Sequence, residues 1–150
     1  MLFSLCLVLG LTTCTQQLAL PQVNSGLPAD FSVEFDRLFL SQEPLRYQDN
    51  REFLASIQKA KLNPKERELV RCKLKEFLSA KPKPRPYAPN SIHTGVASEI
   101  AFLRLEALRL LKEIGTKEDA AFIRHLEIRA DEHPLFNEES KEVIKRLEAR

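Results

Sequence analysis

The chain has 150 residues, of which 43% are hydrophobic and 29% are charged. This length and composition suit one globular domain and exclude a chain that is disordered throughout. The formal net charge is only +2, and the four glycines leave no glycine-rich loop that could cradle a phosphate group.

The first 29 residues carry no charged side chain, and residues 2–11 form an apolar run. The run is too short to span a bilayer but has the length of the core of a secretory signal. Within it, Leu11-Thr12-Thr13-Cys14 resembles the lipobox of bacterial lipoproteins, in which the cysteine becomes the lipidated first residue after cleavage. This resemblance implies a signal peptide over residues 1–14, lipidation at Cys14 and an exported protein that a lipid anchors to a membrane of the cell envelope. The alternatives are an ordinary cleaved signal, giving a periplasmic or secreted protein, and an uncleaved segment buried in a membrane or in the core.

Residues 15–29 contain polar residues, two prolines and a glycine, and we predict a flexible tether there. Processing at Cys14 would discard Cys6 and leave Cys72 as the one free thiol, so no intramolecular disulfide is expected. On a helical wheel Cys72 lies opposite the apolar face and next to acidic residues, which disfavour a reactive thiolate.

Residues 30–150 are predicted to form a single all-α domain of five or six helices. Apolar residues within 31–39 follow the i, i+4, i+7, i+8 spacing of a helix, with Asp30 as its cap. Alternate residues from Phe31 to Phe35 are also apolar, as in a strand. We favour the helix because the alternation stops at Asp36 and a single strand would have no partner.

Two more helices are predicted before a proline-rich segment. The first covers residues 48–61. The second follows Asn63 as cap, with Pro64 in its first turn and Glu66 completing a capping box, and it extends to about Ala80. The core positions expected from the helical spacing are Phe53, Leu54, Ile57 and Ala60 in the first helix, and Val70, Leu74, Phe77 and Leu78 in the second.

The segment KPKPRPYAPN, residues 81–90, holds four prolines and is predicted to be an extended connector between two helical halves. It could alternatively be a ligand for an aromatic-lined groove on another protein. Basic residues accumulate around it, because residues 59–87 contain ten Lys or Arg against three Glu, a balance of +7, whereas the rest of the chain balances at −5.

The basic segment has two interpretations. In the first, its cations complement acidic regions of the fold or lie on a solvated face. In the second, they form a binding patch for anionic head groups or envelope polymers. Nucleic acid is a poorer partner, because Tyr87 is the one ring in the segment on which bases could stack. The candidate patch comprises Lys65, Arg67, Arg71, Lys73, Lys75, Lys81, Lys83 and Arg85.

The longest helical pattern covers residues 92–114. Its stripe consists of Ile92, Val96, Ile100, Leu103, Ala107, Leu110, Leu111 and Ile114. Phe102 and Leu105 fall on a second side, so this helix is expected to pack in two directions. Gly115 is expected to end it in the left-handed conformation, and Thr116 with Asp119 to cap the next helix.

Two shorter helices complete the expected domain. The first covers residues 116–129 and ends at a turn around His133-Pro134; the last begins after Asn137 as cap. The inward-facing residues are Phe122, Ile123, Leu126 and Ala130 in the first, and Val143, Ile144 and Leu147 in the last.

Residues 103–126, LRLEALRLLKEIGTKEDAAFIRHL, resemble a HEAT-type helical repeat. The matches are Ala107, Leu108, Leu111, Ile114, Gly115, Ile123 and Leu126. The resemblance implies HEAT-like helices over residues 92–150, in a short array of antiparallel helix pairs that binds other macromolecules. A compact helical bundle is the alternative architecture.

No catalytic constellation is apparent, and no cofactor or metal is expected. His125 and His133, grouped with Asp131 and Glu132, are eight residues apart, whereas helical metal sites prefer a spacing of three or four. Two hypotheses remain: a non-enzymatic interaction or scaffolding module that binds a protein partner, and a small exported helical enzyme or ligand-binding bundle. An exposed concave face would favour the first, and a closed apolar pocket the second.

Overall fold

The computed structural model describes residues 26–81, Pro86 and residues 96–150. It contains six α-helices in these ranges and no strand, which confirms the all-α fold with antiparallel helix packing. The helices are α1 (Phe31–Phe35), continued by a π-helical turn (Asp36–Leu40), α2 (Tyr47–Lys59), α3 (Pro64–Ser79), α4 (Val96–Ile114), α5 (Lys117–Arg124) and α6 (Phe136–Glu148). None of the described helices is both long enough and apolar enough to cross a bilayer.

Helix α4 lies at the centre of the domain, where it packs against α2, α3 and α6. The expected packing in two directions is confirmed by the burial of Leu103 and Leu111 on one side and Leu105 on the other. The prediction that Phe102 is buried is wrong, since this residue is 45% exposed. Its ring lies beside the imidazole of His133, with the ring centroids 4.4 Å apart. Ile92 lies outside the described residues.

Helix α1 brings phenylalanines together at one end of the core. Phe31 and Phe35 are buried, and the rings of Phe35 and Phe39 lie 4.6 Å apart between centroids. Asp30 precedes the helix, but its side chain makes no capping hydrogen bond. Leu27 is also buried, so the packed part of the chain begins within the segment expected to be a tether.

The boundaries of α2 and α3 follow the sequence closely. The capping box of α3 is confirmed, because the Glu66 N–H donates to Asn63 Oδ1 at 3.0 Å and the Asn63 N–H donates to Glu66 Oε2 at 2.8 Å. Helix α2 ends at Lys59, with half-buried Ala60 just beyond it. The expected core residues of α3 are all buried, namely Val70, Leu74, Phe77 and Leu78.

Two boundaries in the last part of the chain differ from expectation. Helix α5 ends at Arg124 rather than near residue 129. The His125 N–H is shared between the Ala121 and Phe122 carbonyls, and the Leu126 N–H donates to Ile123, three residues back, so the chain tightens out of the α-helix. Ala130 is consequently exposed. Asn137 is not the cap of α6, since burial of Phe136 places the helix start two residues earlier than expected, after Leu135.

Gly115 lies between α4 and α5, but it does not adopt the left-handed conformation that the sequence predicts. Its φ lies outside the left-handed region, so conformational freedom does not explain the glycine. A Cβ atom here would collide with the Leu111 carbonyl oxygen and would lie 3.2 Å from Leu147 Cδ2. The glycine is therefore required mainly because the chain turns tightly over the Leu111 carbonyl at the end of α4, and the nearby Leu147 side chain of α6 adds to the crowding.

Candidate functional site

Several cations of the basic segment form ion pairs inside the fold. From α3, Arg71 Nε lies 2.6 Å from Asp119 Oδ2, and Lys75 Nζ lies 2.9 Å from Asp119 Oδ1. Lys73 Nζ contacts Asp36 Oδ1 at 2.6 Å. Three of the eight candidate binding residues therefore join α3 to α5 and to the π-helical turn that follows α1.

The other candidates lie apart from these pairs. Lys65 and Arg67 are exposed on the first half of α3, and Lys81 is exposed just after its end. Lys83 and Arg85 lie outside the described residues. Cys72 is an exposed free thiol whose Sγ lies 3.5 Å from Glu68 Oε1, in the acidic surroundings that the sequence indicates.

Asp119 is the buried centre of the first network. The Thr116 N–H donates to its Oδ2 at 2.9 Å, as a capping residue requires, while Arg71 and Lys75 approach from α3. Burial on its own would raise the pKa of Asp119, but hydrogen bonds from Arg71, Thr116 and Lys75 outweigh it and hold the pKa at about 2, below the ordinary 3.8.

This depressed pKa predicts an acid-sensitive contribution to stability. Because the folded-state pKa lies below the unfolded one, the contribution is complete above about pH 4 and is lost as the pH falls through about 2. The difference in free energy of unfolding between the wild type and Asp119→Asn should shrink by about 2 kcal/mol over this interval. Urea denaturation at pH 7, 4 and 2 measures it. The matched control Asp131→Asn removes an exposed carboxylate, and an equal pH dependence for both variants would contradict the prediction.

A second network surrounds Arg104, whose side chain is 1% exposed. Its Nε lies 3.0 Å from both carboxylate oxygens of Glu132, and its Nη2 lies 2.8 Å from Glu132 Oε2. Its Nη1 donates to the Leu78 carbonyl, and its guanidinium carbon lies 5.3 Å from the centre of the Phe136 ring. Arg104 therefore joins α4 to the end of α3 and to the segment before α6.

Two arginines donate hydrogen bonds to backbone carbonyls at the C-terminal end of α3. Arg104 caps the Leu78 carbonyl and Arg129 donates to the Ala80 carbonyl. Burial, and then the charge of Arg104, lower the pKa of Arg129 from its ordinary value. Positive charge thus gathers where the helix dipole is negative.

A cleft of about 470 Å³ opens beside this helix end. Most of its lining is apolar, with Lys81 and Arg129 among the polar lining residues; the apolar members are Phe39, Leu40, Leu45, Phe77, Ala80, Ile100 and Leu103. The Leu45 N–H donates to the Pro86 carbonyl at 3.1 Å, so Pro86 lies next to a residue that lines the cleft.

A second cleft of about 660 Å³ adjoins the first and shares Ser79, Lys81 and Arg129 with it. It lies between the end of α3 and the segment after α5. Its apolar lining consists of Leu78, Phe122, Leu126, Ile128 and Ala130. We call the two together the double cleft. Acidic residues also line it, with Glu76 in the first compartment and Glu127 and Asp131 in the second, so the double cleft combines apolar side chains with charges of both signs.

Asn50 lines the first compartment and is 1% exposed. Its Nδ2 donates to the Leu38 carbonyl at 2.6 Å. Its Oδ1 is buried and accepts no hydrogen bond from the described residues. Buried polar atoms are usually paired, so an unpaired acceptor beside a cleft is a noteworthy feature.

Two members of the histidine and acid group, Glu132 and His133, make contacts that are unrelated to metal binding. Glu132 pairs with Arg104, and His133 Nδ1 accepts the Leu135 N–H at 3.1 Å. Within the ranges that the structure describes, no group of three or more His, Cys, Asp or Glu is arranged to hold a metal ion.

The sequence did not reveal the double cleft or the burial of Arg104. A charged residue between two buried leucines was the available signal for Arg104, but its partner is 28 residues away. The cleft combines α3 and α4 with two loops and has no local signature. Comparisons with family models, with curated proteins and with solved structures found no match to this chain.

Proposed function

We propose that the chain is a non-enzymatic interaction or scaffolding module, tethered by a lipid at Cys14 to a bacterial envelope membrane, that binds a protein partner through its helical surface. The observation that carries the proposal is the double cleft, whose two compartments both contain apolar side chains and share Ser79, Lys81 and Arg129. The HEAT-type resemblance of residues 103–126 supports the same role, because such helical arrays bind macromolecules.

The charges around the cleft also favour binding. Arg71, Lys73 and Lys75 are engaged in ion pairs within the fold, whereas Lys81 has no ion pair within the described part of the chain. A cation next to apolar surface, without an internal partner, suits a docking site better than a structural role.

Photo-crosslinking in cells tests the proposal. A photo-reactive p-benzoylphenylalanine replaces Ser79, which lines both compartments, or Glu127, which lines the second. Both positions should give the same discrete crosslinked species. The matched control is Lys141, an exposed residue of α6 outside the double cleft, which should not give it. Identical crosslinking patterns from all three positions would overturn the proposal.

The tether has its own prediction. Cys14→Ala should abolish lipidation and release the protein from the membrane fraction, because an acyl chain attached there supplies the membrane affinity. Cell fractionation with a radiolabelled fatty acid measures this, with Cys72→Ala as the matched control. Unchanged membrane association of Cys14→Ala would contradict the lipid anchor and favour an uncleaved segment, whereas a wild type that takes up no fatty acid and is soluble would favour an ordinary cleaved signal.

The second candidate is a ligand-binding bundle or small enzyme. It is favoured by the volume of the first compartment, which falls within the 300 to 1,000 Å³ typical of small-molecule sites, and by Phe39 and Phe77 in its lining. A discrete crosslink to a macromolecule from Ser79 argues against this candidate. Copurification of a small molecule with the wild type but not with Ser79→Tyr, which narrows the junction, supports it.

A further inference from the structure

We infer that the domain lies on an anionic phospholipid bilayer through one face. We call it the entry face, and it consists of Val33, Leu69, Lys59, Lys61 and Lys65. Exposed apolar side chains and lysines without ion pairs meet there, at the place where the chain from the proposed anchor enters the domain. The inference rests on the lipid anchor of the proposed function and adds how the anchored domain is oriented.

The apolar part of the entry face is one groove. Val33 of α1 is 72% exposed and Leu69 of α3 is 39% exposed. Both line a groove of about 240 Å³, together with Leu27 and Pro28. Single exposed apolar residues are common on protein surfaces, but two large aliphatic side chains exposed in the same groove indicate a contact surface.

The free charges around the groove are mainly positive. Lys59 ends α2, Lys61 precedes α3, and Lys65 lies in the first turn of α3. All three are exposed and form no ion pair within the described residues. Lys65 lies four residues before Leu69, so these two side chains share one side of α3. The lysines therefore flank apolar surface.

Most acids on or next to the groove are already engaged. Glu66 lines it but belongs to the capping box of α3. Glu34 and Glu68, the neighbours of Val33 and Leu69 in sequence, each pair with an arginine three residues further on. Asp30 is the exposed acid of the groove lining. Three unpaired lysines against this one carboxylate leave an excess of positive charge.

The entry face lies where the described chain begins. Gly26 packs on the backbone of Lys61, since a Cβ atom on the glycine would lie 2.6 Å from the Lys61 carbonyl oxygen. Gly26 is the twelfth residue after Cys14. Twelve residues extend over at most about 43 Å, so a lipid at Cys14 holds this face near the head groups. Weak contacts then suffice, because tethering makes the local concentration high.

An anionic bilayer matches both components of the face. Lysines attract anionic head groups, and aliphatic side chains enter the boundary between head groups and acyl chains. The double cleft lies at the other end of α3. From Lys65 to Ser79 the helix rises by about 20 Å, so lipid and a protein partner can be bound at the same time.

Tryptophan fluorescence of the full chain tests the inference, because the natural chain contains no tryptophan. Val33→Trp and Leu69→Trp are the probes, and Lys141→Trp on α6 is the matched control. The vesicles contain one part phosphatidylglycerol to three parts phosphatidylcholine, or phosphatidylcholine alone. With phosphatidylglycerol, both entry-face probes should emit at shorter wavelength and be quenched by brominated lipids. Neutral vesicles should give a smaller shift, and the control should emit as in water.

Charge variants assign the binding to the lysines. Changing Lys59, Lys61 and Lys65 together to Glu should abolish the shift of Val33→Trp. The matched control changes three exposed lysines elsewhere to Glu, namely Lys117, Lys141 and Lys145, and should keep it. Both triple variants are first checked for an unchanged circular dichroism spectrum. Salt at 1 M, where the Debye length is about 3 Å, should reduce the shift of the wild-type face.

Three results would overturn the inference. The first is emission as in water from both entry-face probes with phosphatidylglycerol vesicles. The second is an equal loss of the shift in both triple variants, which would assign the attraction to the overall charge. The third is a shift that appears without vesicles and grows with protein concentration, which would assign the face to a second copy of the chain.

Failure of this inference is distinguishable from failure of the proposed function. Crosslinking from Ser79 and Glu127 tests the protein partner, and fatty-acid labelling tests the anchor, both without using the entry face. If these succeed while the probes emit as in water, the proposed function stands and the inference falls. If Cys14 takes up no fatty acid but the probes shift with phosphatidylglycerol, the entry face binds the bilayer and the anchor falls.

Discussion

Glu132→Ala is expected to lower the free energy of unfolding by about 3 to 5 kcal/mol, the largest effect of a single carboxylate in this domain. The side chain of Glu132 is 4% exposed and pairs with the Arg104 side chain, which is 1% exposed. Its removal leaves the positive charge of Arg104 buried among apolar residues without a counterion. A buried charge that loses its partner costs far more than an exposed one.

Two controls separate this cause from a general effect of the substitution. Glu127→Ala removes an exposed carboxylate five residues earlier and should change stability little. The double variant Arg104→Met with Glu132→Met should lose less stability than Glu132→Ala, because it leaves no buried charge. Denaturant unfolding measures all three. A double variant less stable than Glu132→Ala would show that the packing of the arginine, rather than its charge balance, dominates.

Leu111→Ala is expected to lower the free energy of unfolding by about 2 to 5 kcal/mol, since it removes buried methyl groups and leaves a cavity. Leu111 is 0% exposed on α4, the helix that packs against α2, α3 and α6. A domain of this kind is held by only about 5 to 15 kcal/mol, so the change is a large fraction of the total. Thermal and urea denaturation measure the loss.

Glu113→Ala is the matched control on the same helix. Glu113 lies 3.1 Å from Arg146, but both side chains are nearly half exposed, and such a surface pair contributes about 0 to 1 kcal/mol. The control should therefore remain close to the wild type. Equal melting temperatures for Leu111→Ala and Glu113→Ala would mean that the buried face of α4 is wrongly assigned.

The sequence predicts the helices because apolar spacing and caps are local signals. The Asn63, Pro64 and Glu66 combination located the start of α3, and the leucines of α4 identified a central helix. Local signals were weaker at α6, where burial of Phe136 rather than the polar Asn137 determines the first turn.

Long-range pairing could not be predicted from the sequence. Arg71 and Lys75 appeared as members of a basic segment, but their common partner Asp119 is more than 40 residues away and appeared only as a helix cap. In the sequence, Arg104 looks like an ordinary charged residue on the polar face of an amphipathic helix, so its burial could not be predicted. Helix packing determines which cations are buried in ion pairs and which are exposed. It also forms the double cleft, so neither feature could be predicted from local sequence.

Amide hydrogen exchange on the folded chain tests most directly the claim that α4 is the helix around which the domain is packed. Amides of Leu105, Leu108 and Leu111 are expected to be among the slowest to exchange, with opening free energies equal to the global free energy of unfolding. Exposed positions at the ends of α5 should exchange through local opening. If α4 amides instead exchanged at lower free energy than those of α6, the two helices would open independently and the central position of α4 would be contradicted.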